Sequence, residues 1–249
     1  QLGSGVYASG ESVVQVYRIP ISWDVIPVDE RAWGLRLRFP VTLGFYNFRS
    51  RDFLELEIPD QVSTVTLSAV GDILVPLGDR WLLTPTAEIG YARDFTEELG
   101  SALYAAGIRA TRTQELRGYL TTFDTRTVWA GQADADRALA DDFLRLETAY
   151  EVRRPVGSIG SRRLDVGAFV ANYVYFDSAG FFRFPEPEAA VRAANDGVNS
   201  DSSTVLWEIG FTVGIEPRKW LGVPVPRVGA SYRFGDGLST WRLVFGGAF

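Results

Sequence analysis

Cysteine, histidine and methionine are absent from the 249 residues of this chain. Without cysteine there are no disulfides, no thiolate nucleophiles and no zinc-finger spacings. Without histidine there is no imidazole base, no Ser-His dyad and no imidazole ligand for a metal. We therefore expect no catalysis that depends on these groups, no metal site and no cofactor.

Lysine and long apolar segments are also scarce. Lys219 is the only lysine among 25 basic residues, and the others are all arginine. No segment approaches the roughly eighteen consecutive apolar residues that a membrane helix requires, so a membrane crossing would have to use strands. The 31 acidic residues leave a net charge of -6, which argues against a nucleic-acid partner.

The clearest pattern lies at the C-terminus, where residues 227–249 read RVGASYRFGDGLSTWRLVFGGAF. Apolar residues alternate with glycine, serine and arginine in two arms, and Gly235-Asp236-Gly237 can supply the positive φ of a tight reversal. The pattern predicts a β-hairpin with one oily face and one small, polar face. Such a strand fits lipid outside and a wet interior; the alternative is a soluble barrel whose apolar face points inward.

The same two-residue period recurs along the chain and predicts an all-β fold. Besides the two hairpin arms, we expect strands near residues 13–23, 33–45, 62–77, 81–91, 101–114, 116–130, 143–154, 162–176 and 205–216. That total of eleven conflicts with the even number found in single-chain bacterial barrels. A further strand within residues 2–12 gives twelve, and ten is the alternative. We predict a closed antiparallel transmembrane β-barrel over residues 13–249, preceded by an N-terminal segment or short first strand at 1–12.

Long polar loops and short turns alternate between the predicted strands. The loops are expected at 48–61, 131–142 and 177–203, and short turns at 78–79 and 155–161; outer-membrane barrels show this asymmetry, with the long loops outside the cell. Pro20, Pro40 and Pro85 lie inside predicted strands, where each removes a ladder donor, so we expect bulges or interior water there. Lys219 and Trp220 at the other rim predict an interfacial membrane anchor.

Charged residues recur on the face opposite the apolar one. The predicted lumen-lining residues, besides Asp165, are Arg18, Arg36, Arg38, Glu88, Arg145, Glu147, Glu151, Arg153, Glu208, Glu216, Arg233 and Arg242. A soluble barrel would have to bury these charges or turn inside out, which is costly for each unpaired ion. In a narrow wet lumen they can pair across it. Two interpretations remain open: an ion-pair network that fills and stiffens the barrel, and a pore that selects ions or small solutes.

The C-terminal hairpin also carries a family resemblance. SYRFGDG followed by WRLVFGGAF resembles the translocator barrels of autotransporters, particularly the solitary ones that lack a passenger. The terminal Phe249 resembles the assembly signal of bacterial outer-membrane β-barrels. The resemblance implies integral insertion in the outer membrane of a Gram-negative cell, contact with its lipids and lipopolysaccharide, and recognition by the barrel assembly machinery.

Catalysis is not expected from this resemblance. Outer-membrane proteases, phospholipases and lipid A deacylases depend on an active-site histidine, and this chain has none. We expect a structural or pore-forming, autotransporter-like barrel that is not an enzyme; the alternatives are a small-solute or ion channel with an Arg/Glu-lined lumen, and a soluble lipid-binding barrel. Exposed aromatic residues in loop 177–203 predict contact with the pore, lipopolysaccharide or a protein partner.

Overall fold

The computed structural model describes residues 5–9, 12–19, 21–28, 32–48, 63–95, 100–134, 140–160, 162–176, 204–216, 219–220, 223–224, 227–235 and 238–245. These ranges contain sixteen strands: β1 (Gly5–Ser9), β2 (Ser12–Ile19), β3 (Ser22–Ile26), β4 (Gly34–Arg38), β5 (Val41–Phe48), β6 (Thr64–Leu77), β7 (Trp81–Asp94), β8 (Gly100–Leu116), β9 (Tyr119–Asp134), β10 (Ala140–Ile159), β11 (Arg162–Phe176), β12 (Thr204–Glu216), β13 (Lys219–Trp220), β14 (Val223–Pro224), β15 (Val228–Gly235) and β16 (Leu238–Phe245).

One antiparallel sheet contains fourteen of these strands. Its order is β3-β4-β6-β5-β2-β1-β16-β15-β12-β11-β10-β9-β8-β7, and β7 also pairs with β6. The strands β13 and β14 pair only with each other within the described ranges. The predicted all-β antiparallel fold is confirmed. Among the described residues, no helix is both long and apolar enough to cross a membrane.

Pro40 interrupts the strand that the sequence predicts over residues 33–45. β4 ends at Arg38 and β5 begins at Val41, because proline has no amide proton to donate to the ladder. The neighbouring strands still hold this segment: the amide of Phe39 donates to the carbonyl of Ile21 over 2.8 Å, and the amide of Ser68 donates to the carbonyl of Pro40 over 3.2 Å. The prediction of one continuous strand is therefore wrong, although both halves pair with β6. Pro20 lies outside the described residues.

The other prolines also differ from expectation. Pro85 pairs with Ile108 without a register shift, so no bulge accompanies it. The register shifts instead between Pro155 and Gly157, and β10 continues to Ile159. The chain reverses within the predicted range 155–161, near Gly160, where φ is 62°, but the turn is shorter than predicted because a bulge absorbs Pro155 inside β10.

The connections lie at the two ends of the strands, which form two opposite borders of the sheet. Since neighbouring strands are antiparallel, the short turns after β6, β8 and β10 share one edge, which we call the turn edge. The connections after β5, β9 and β11 share the other, which we call the loop edge. The loop predicted at 131–142 is shorter than expected, because β9 runs to Asp134 and β10 begins at Ala140. Residues 49–62 and 177–203 lie outside the described part of the chain.

Burial alternates along the strands, and the buried side is the charged one. In β11, Asp165, Phe169 and Tyr173 are buried, whereas Val166 and Val170 between them are exposed. We call the buried side the polar face and the exposed side the apolar face. The sheet has the orientation that the hairpin pattern predicts, with oily side chains outward and charges inward.

Candidate functional site

The apolar face has two rows of aromatic residues. Its exposed side chains include Trp23 at 65%, Ile89 at 70% and Phe211 at 58% of their maximal area. The tryptophans of this face fall near the two edges of the sheet: Trp23, Trp33 and Trp81 near the turn edge, and Trp129, Trp207 and Trp241 near the loop edge.

The spacing of these rows matches a membrane-spanning barrel. In β9, Tyr119 and Trp129 are ten residues apart, which is about 33 Å along a strand. At the tilt typical of outer-membrane barrels this corresponds to a height of about 25 Å, the height of their lipid-facing band between two aromatic girdles.

Glu208 is the centre of the most deeply buried charge cluster on the polar face. Its carboxylate has no exposed surface, and Arg233 Nη2 and Arg242 Nη2 approach its two oxygens at 2.7 and 2.9 Å. The hydroxyl of Tyr173 donates to Glu208 Oε2 over 3.0 Å, and the guanidinium of Arg233 lies 4.4 Å from the centre of the Tyr173 ring. Strands β11, β12, β15 and β16 each contribute one residue to this Glu208 cluster.

A second cluster surrounds Asp165 near the turn edge. The guanidinium of Arg227 pairs with Asp165, and its Nη2 donates to Thr212 Oγ1 over 2.9 Å. The Thr212 hydroxyl in turn donates to Glu151 over 3.3 Å. Arg153 Nε lies 3.5 Å from the other oxygen of Glu151. This Asp165 cluster thus links β10, β11 and β12 to the residue that precedes β15.

Three further ion pairs involve Arg145, Arg109 and Arg38. Arg145 lies 3.2 Å from Glu147 on its own strand, and Arg109 pairs at 2.6 Å with Asp124. The third is bidentate: Arg38 Nε and Nη2 donate to the two oxygens of Asp72 over 2.5 and 2.8 Å.

The structure brings most of the predicted polar residues into these pairs. Arg36 binds Asp24 at 2.5 Å in an exposed part of the polar face. Glu88 is buried, and Arg18 lies within range of the charges of Glu88 and Arg38. Glu216 pairs through its backbone with Arg163, but the structure does not describe its side chain.

Several residues of the polar face were not predicted from the sequence, namely Asp72, Asp124, Arg109, Arg126 and Arg227. Asp72 was not assigned to the polar face because its neighbours on the same face, Val70 and Leu74, are apolar and buried. Arg227 belongs to the connection before the terminal hairpin, where no strand period places it. The positions of Asp124 and Arg109 follow from the alternation in β9 and β8, which was a usable signal.

The geometry favours neutralisation of charge over acid–base chemistry. The carboxylates of Asp72, Asp124, Glu151, Asp165 and Glu208 all contact a guanidinium, so each negative charge lies beside a positive one. In the described part of the chain no group of three or more acidic side chains is placed to hold a metal ion. The predicted anchor, Lys219 and Trp220, forms β13, and its membrane contact stays a prediction. Phe249 lies outside the described residues.

Solved structures resemble this fold. The β domain of the Bordetella autotransporter BrkA is 11% identical, with 96% of this chain and 93% of that chain covered and a TM-score of 0.55. LpxR from Salmonella typhimurium is 10% identical, with 96% of this chain and 90% of that chain covered, at a TM-score of 0.46. No family model and no curated protein matches the sequence. The likeness to BrkA concerns the fold, which is that of an outer-membrane β-barrel resembling an autotransporter translocator domain. The resemblance predicted from the hairpin is thereby confirmed.

Proposed function

We propose that this chain is an integral outer-membrane β-barrel protein with a structural role and no catalytic activity, its interior filled by ion pairs. The observation that carries the proposal is that the apolar face of the sheet is exposed while the charged face is buried. Ile89 is 70% exposed on one face, while Glu208 and Thr212 on the other have no exposed surface. In water such a surface would be an aggregation hazard, whereas in a bilayer the same surface is solvated by acyl chains.

The proposed barrel is closed and has twelve strands. The pairings support this number. β2 and β3 run one after the other in the same direction and count as one membrane-spanning strand, as do β4 and β5; β2 pairs with β5, and β3 pairs with β4. Counted so, the fourteen segments of the sheet give twelve crossings. Pairing of β1 with β16 joins the first strand to the last, and pairing of β6 with β7 links the strands β1 to β6 with the strands that follow. Closure leaves no edge strand with unpaired amides in hydrocarbon.

The proposed orientation puts the turn edge in the periplasm and the loop edge outside the cell. Short periplasmic turns and longer external loops are the rule for this class of barrel, and the chain leaves β16 toward the turn edge. In this orientation Phe249 would lie on the periplasmic side, where the assembly machinery would recognise it. Loop 177–203 would face lipopolysaccharide or a partner.

One residue favours a second candidate function, an anion-conducting pore. Arg126 has no hydrogen bond or ion pair within the described ranges, and among the charges that act on it Arg145, Arg109 and Arg38 are positive while Glu147 is negative. Arg145, Arg109 and Arg38 each pair with a carboxylate, so Arg126 leaves one excess positive charge on this part of the polar face, and an excess positive charge there attracts small anions.

Gel migration tests the membrane-barrel proposal. A closed membrane barrel solubilised in detergent stays folded in SDS until it is boiled, so we expect the unboiled protein to migrate faster than the boiled one. Identical migration, or a protein that is monodisperse in buffer without detergent, would contradict the proposal and favour a soluble lipid-binding barrel.

Conductance in planar bilayers tests the pore. If the interior conducts, we expect anion-selective steps whose selectivity falls in the Arg126→Gln variant and is unchanged in Arg93→Gln, since Arg93 is exposed near the loop edge of the apolar face. A sealed bilayer with folded wild-type protein would rule out the pore and leave the structural role.

A further inference from the structure

An arginine on the apolar face interrupts the aromatic row at the turn edge. Arg112 pairs across the sheet with Trp81 on one side and Phe123 on the other, and Phe123 pairs with Tyr150. Residues paired in this way share a face, so the side chain of Arg112 lies among aromatic residues on the outside of the sheet. Its guanidinium carbon is 5.7 Å from the centre of the Trp81 ring.

This arginine lines a cavity that opens on the apolar face. The cavity has a volume of about 320 Å³ and is lined by Trp81, Arg112, Gln114, Thr121, Phe123 and Tyr150. That volume is at the lower end of the range for ligand pockets, about 300–1,000 Å³. Three aromatic rings form its walls, and the guanidinium, amide and hydroxyl groups supply hydrogen-bond donors.

The charge of Arg112 lacks a counter-ion within the part of the chain that the structure describes. Its Nε is buried and has no hydrogen-bond partner there. Among the described strand residues of the apolar face from β6 to β10 near the turn edge, arginine occurs at 112 and 154, whereas aspartate and glutamate do not occur. A cation on the lipid side of a barrel is costly unless it reaches a polar group, so this part of the surface is complementary to an anion.

We infer that the Arg112 cavity binds the phosphodiester headgroup of an anionic phospholipid from the adjacent leaflet, an inference that rests on the proposed membrane location. The planar guanidinium suits bidentate contact with phosphate oxygens. The rings of Trp81, Phe123 and Tyr150 then contact the glycerol and the upper acyl carbons, as aromatic residues do at membrane interfaces. Arg112 pairs with Trp81 of the aromatic row at the turn edge, and such aromatic rows lie at the membrane interface, where lipid headgroups are found.

Native mass spectrometry of the folded protein in detergent tests this inference with dioleoylphosphatidylglycerol as the probe. We expect the wild type to retain the lipid and Arg112→Gln to bind it at least tenfold more weakly. Arg112→Lys should fall between them, because lysine keeps the positive charge but cannot make the bidentate contact of a guanidinium. Arg154→Gln is the matched control. Arg154 is also outward and stacks on an aromatic ring, but its Nη1 already donates to the Tyr119 hydroxyl over 3.1 Å, so its removal should leave retention within twofold.

Three outcomes overturn the inference. Arg112→Gln and Arg112→Lys could both bind as the wild type does; dioleoylglycerol, which lacks the phosphate, could bind equally well; or inorganic phosphate alone could displace the lipid, which would make the cavity a site for free phosphate. Heat-modifiable migration of every variant separates these results from failure of the proposed function. A folded barrel that releases the lipid contradicts this inference alone, whereas a wild type without heat-modifiable migration contradicts the membrane proposal.

Discussion

The polar face is open around Arg36 and sealed around Glu208, although the ion pairs in the two regions are similarly short. The pair of Arg36 and Asp24 measures 2.5 Å, and its side chains are 39% and 51% exposed. The contacts of Glu208 measure 2.7 and 2.9 Å, and its side chain has no exposed surface. At about 4 Å two unit charges attract by about 1 kcal/mol in water and about 4 kcal/mol in the surroundings typical of a protein. Burial, more than distance, therefore determines how much each of these pairs contributes to stability.

The largest effect is expected for Glu208→Ala. The variant leaves Arg233 and Arg242 buried without their carboxylate, and removal of one partner from a buried pair typically costs about 3–5 kcal/mol. We expect a decrease of that size in the free energy of unfolding. Urea titration of the protein in lipid vesicles, followed by tryptophan fluorescence, measures it.

Glu115→Ala serves as its control, because Glu115 is an exposed carboxylate on β8. Substitutions at exposed positions away from special features usually change stability by about 0.5 kcal/mol or less. A Glu208→Ala variant as stable as Glu115→Ala would contradict the view that the Glu208 cluster is closed to water.

An intermediate effect is expected for Arg38→Ala. Arg38 lies two residues from Arg36 on the same face of β4, but its partner Asp72 is only 7% exposed. Without Arg38 this carboxylate keeps the Thr86 hydroxyl at 2.6 Å as a donor, and an under-satisfied buried group of this kind costs about 1–3 kcal/mol. The same urea titration should show this loss.

Arg38→Lys refines that measurement. It keeps the positive charge and removes the bidentate geometry, so a smaller loss than in Arg38→Ala is expected. Equal losses in the two variants would mean that geometry, not charge, accounts for the whole effect.

Thiol labelling compares water access in the two regions directly. The chain has no native cysteine, so Ser22→Cys and Ser231→Cys each create a single thiol. Ser22 pairs with Arg38 and is exposed, whereas Ser231 pairs with Arg242 and is 1% exposed. Because reaction requires an accessible thiolate, we expect Ser22→Cys to react with a water-soluble maleimide roughly tenfold faster or more. Similar rates would show that water reaches the Glu208 cluster, as an open pore requires.

The sequence predicted which side of the sheet these residues occupy, but not how they pair. Glu208 alternates with Trp207 and Ile209, so its face follows from the period of two. Its contact with Arg242 joins β12 to β16 across β15, and that depends on a register that no local pattern encodes.

Strand interruptions were predictable only in part. Pro40 breaks its strand. Pro85 keeps the register of β7 with β8, although the ladder between β6 and β7 has no pair at Thr84 or Pro85. Arg227 lies outside any alternating segment, and only the packing around Asp165 reveals its position. Local periodicity thus predicts faces, whereas contacts across several strands require the assembled sheet.

The smallest effect is expected for Arg36→Ala, and it tests the comparison most sharply because Arg36 and Arg38 share a strand, a face and a contact distance. Exposed ion pairs contribute about 0–1 kcal/mol, and Asp24 can be hydrated once the arginine is gone. Whatever Arg36 contributes should also shrink between low and high salt, since screening acts on exposed charges. Urea titrations of the wild type and Arg36→Ala at two ionic strengths measure both quantities. A loss equal to that of Arg38→Ala, unchanged by salt, would mean that the bilayer or the neighbouring loops shield Arg36 from water as fully as the sheet shields Asp72.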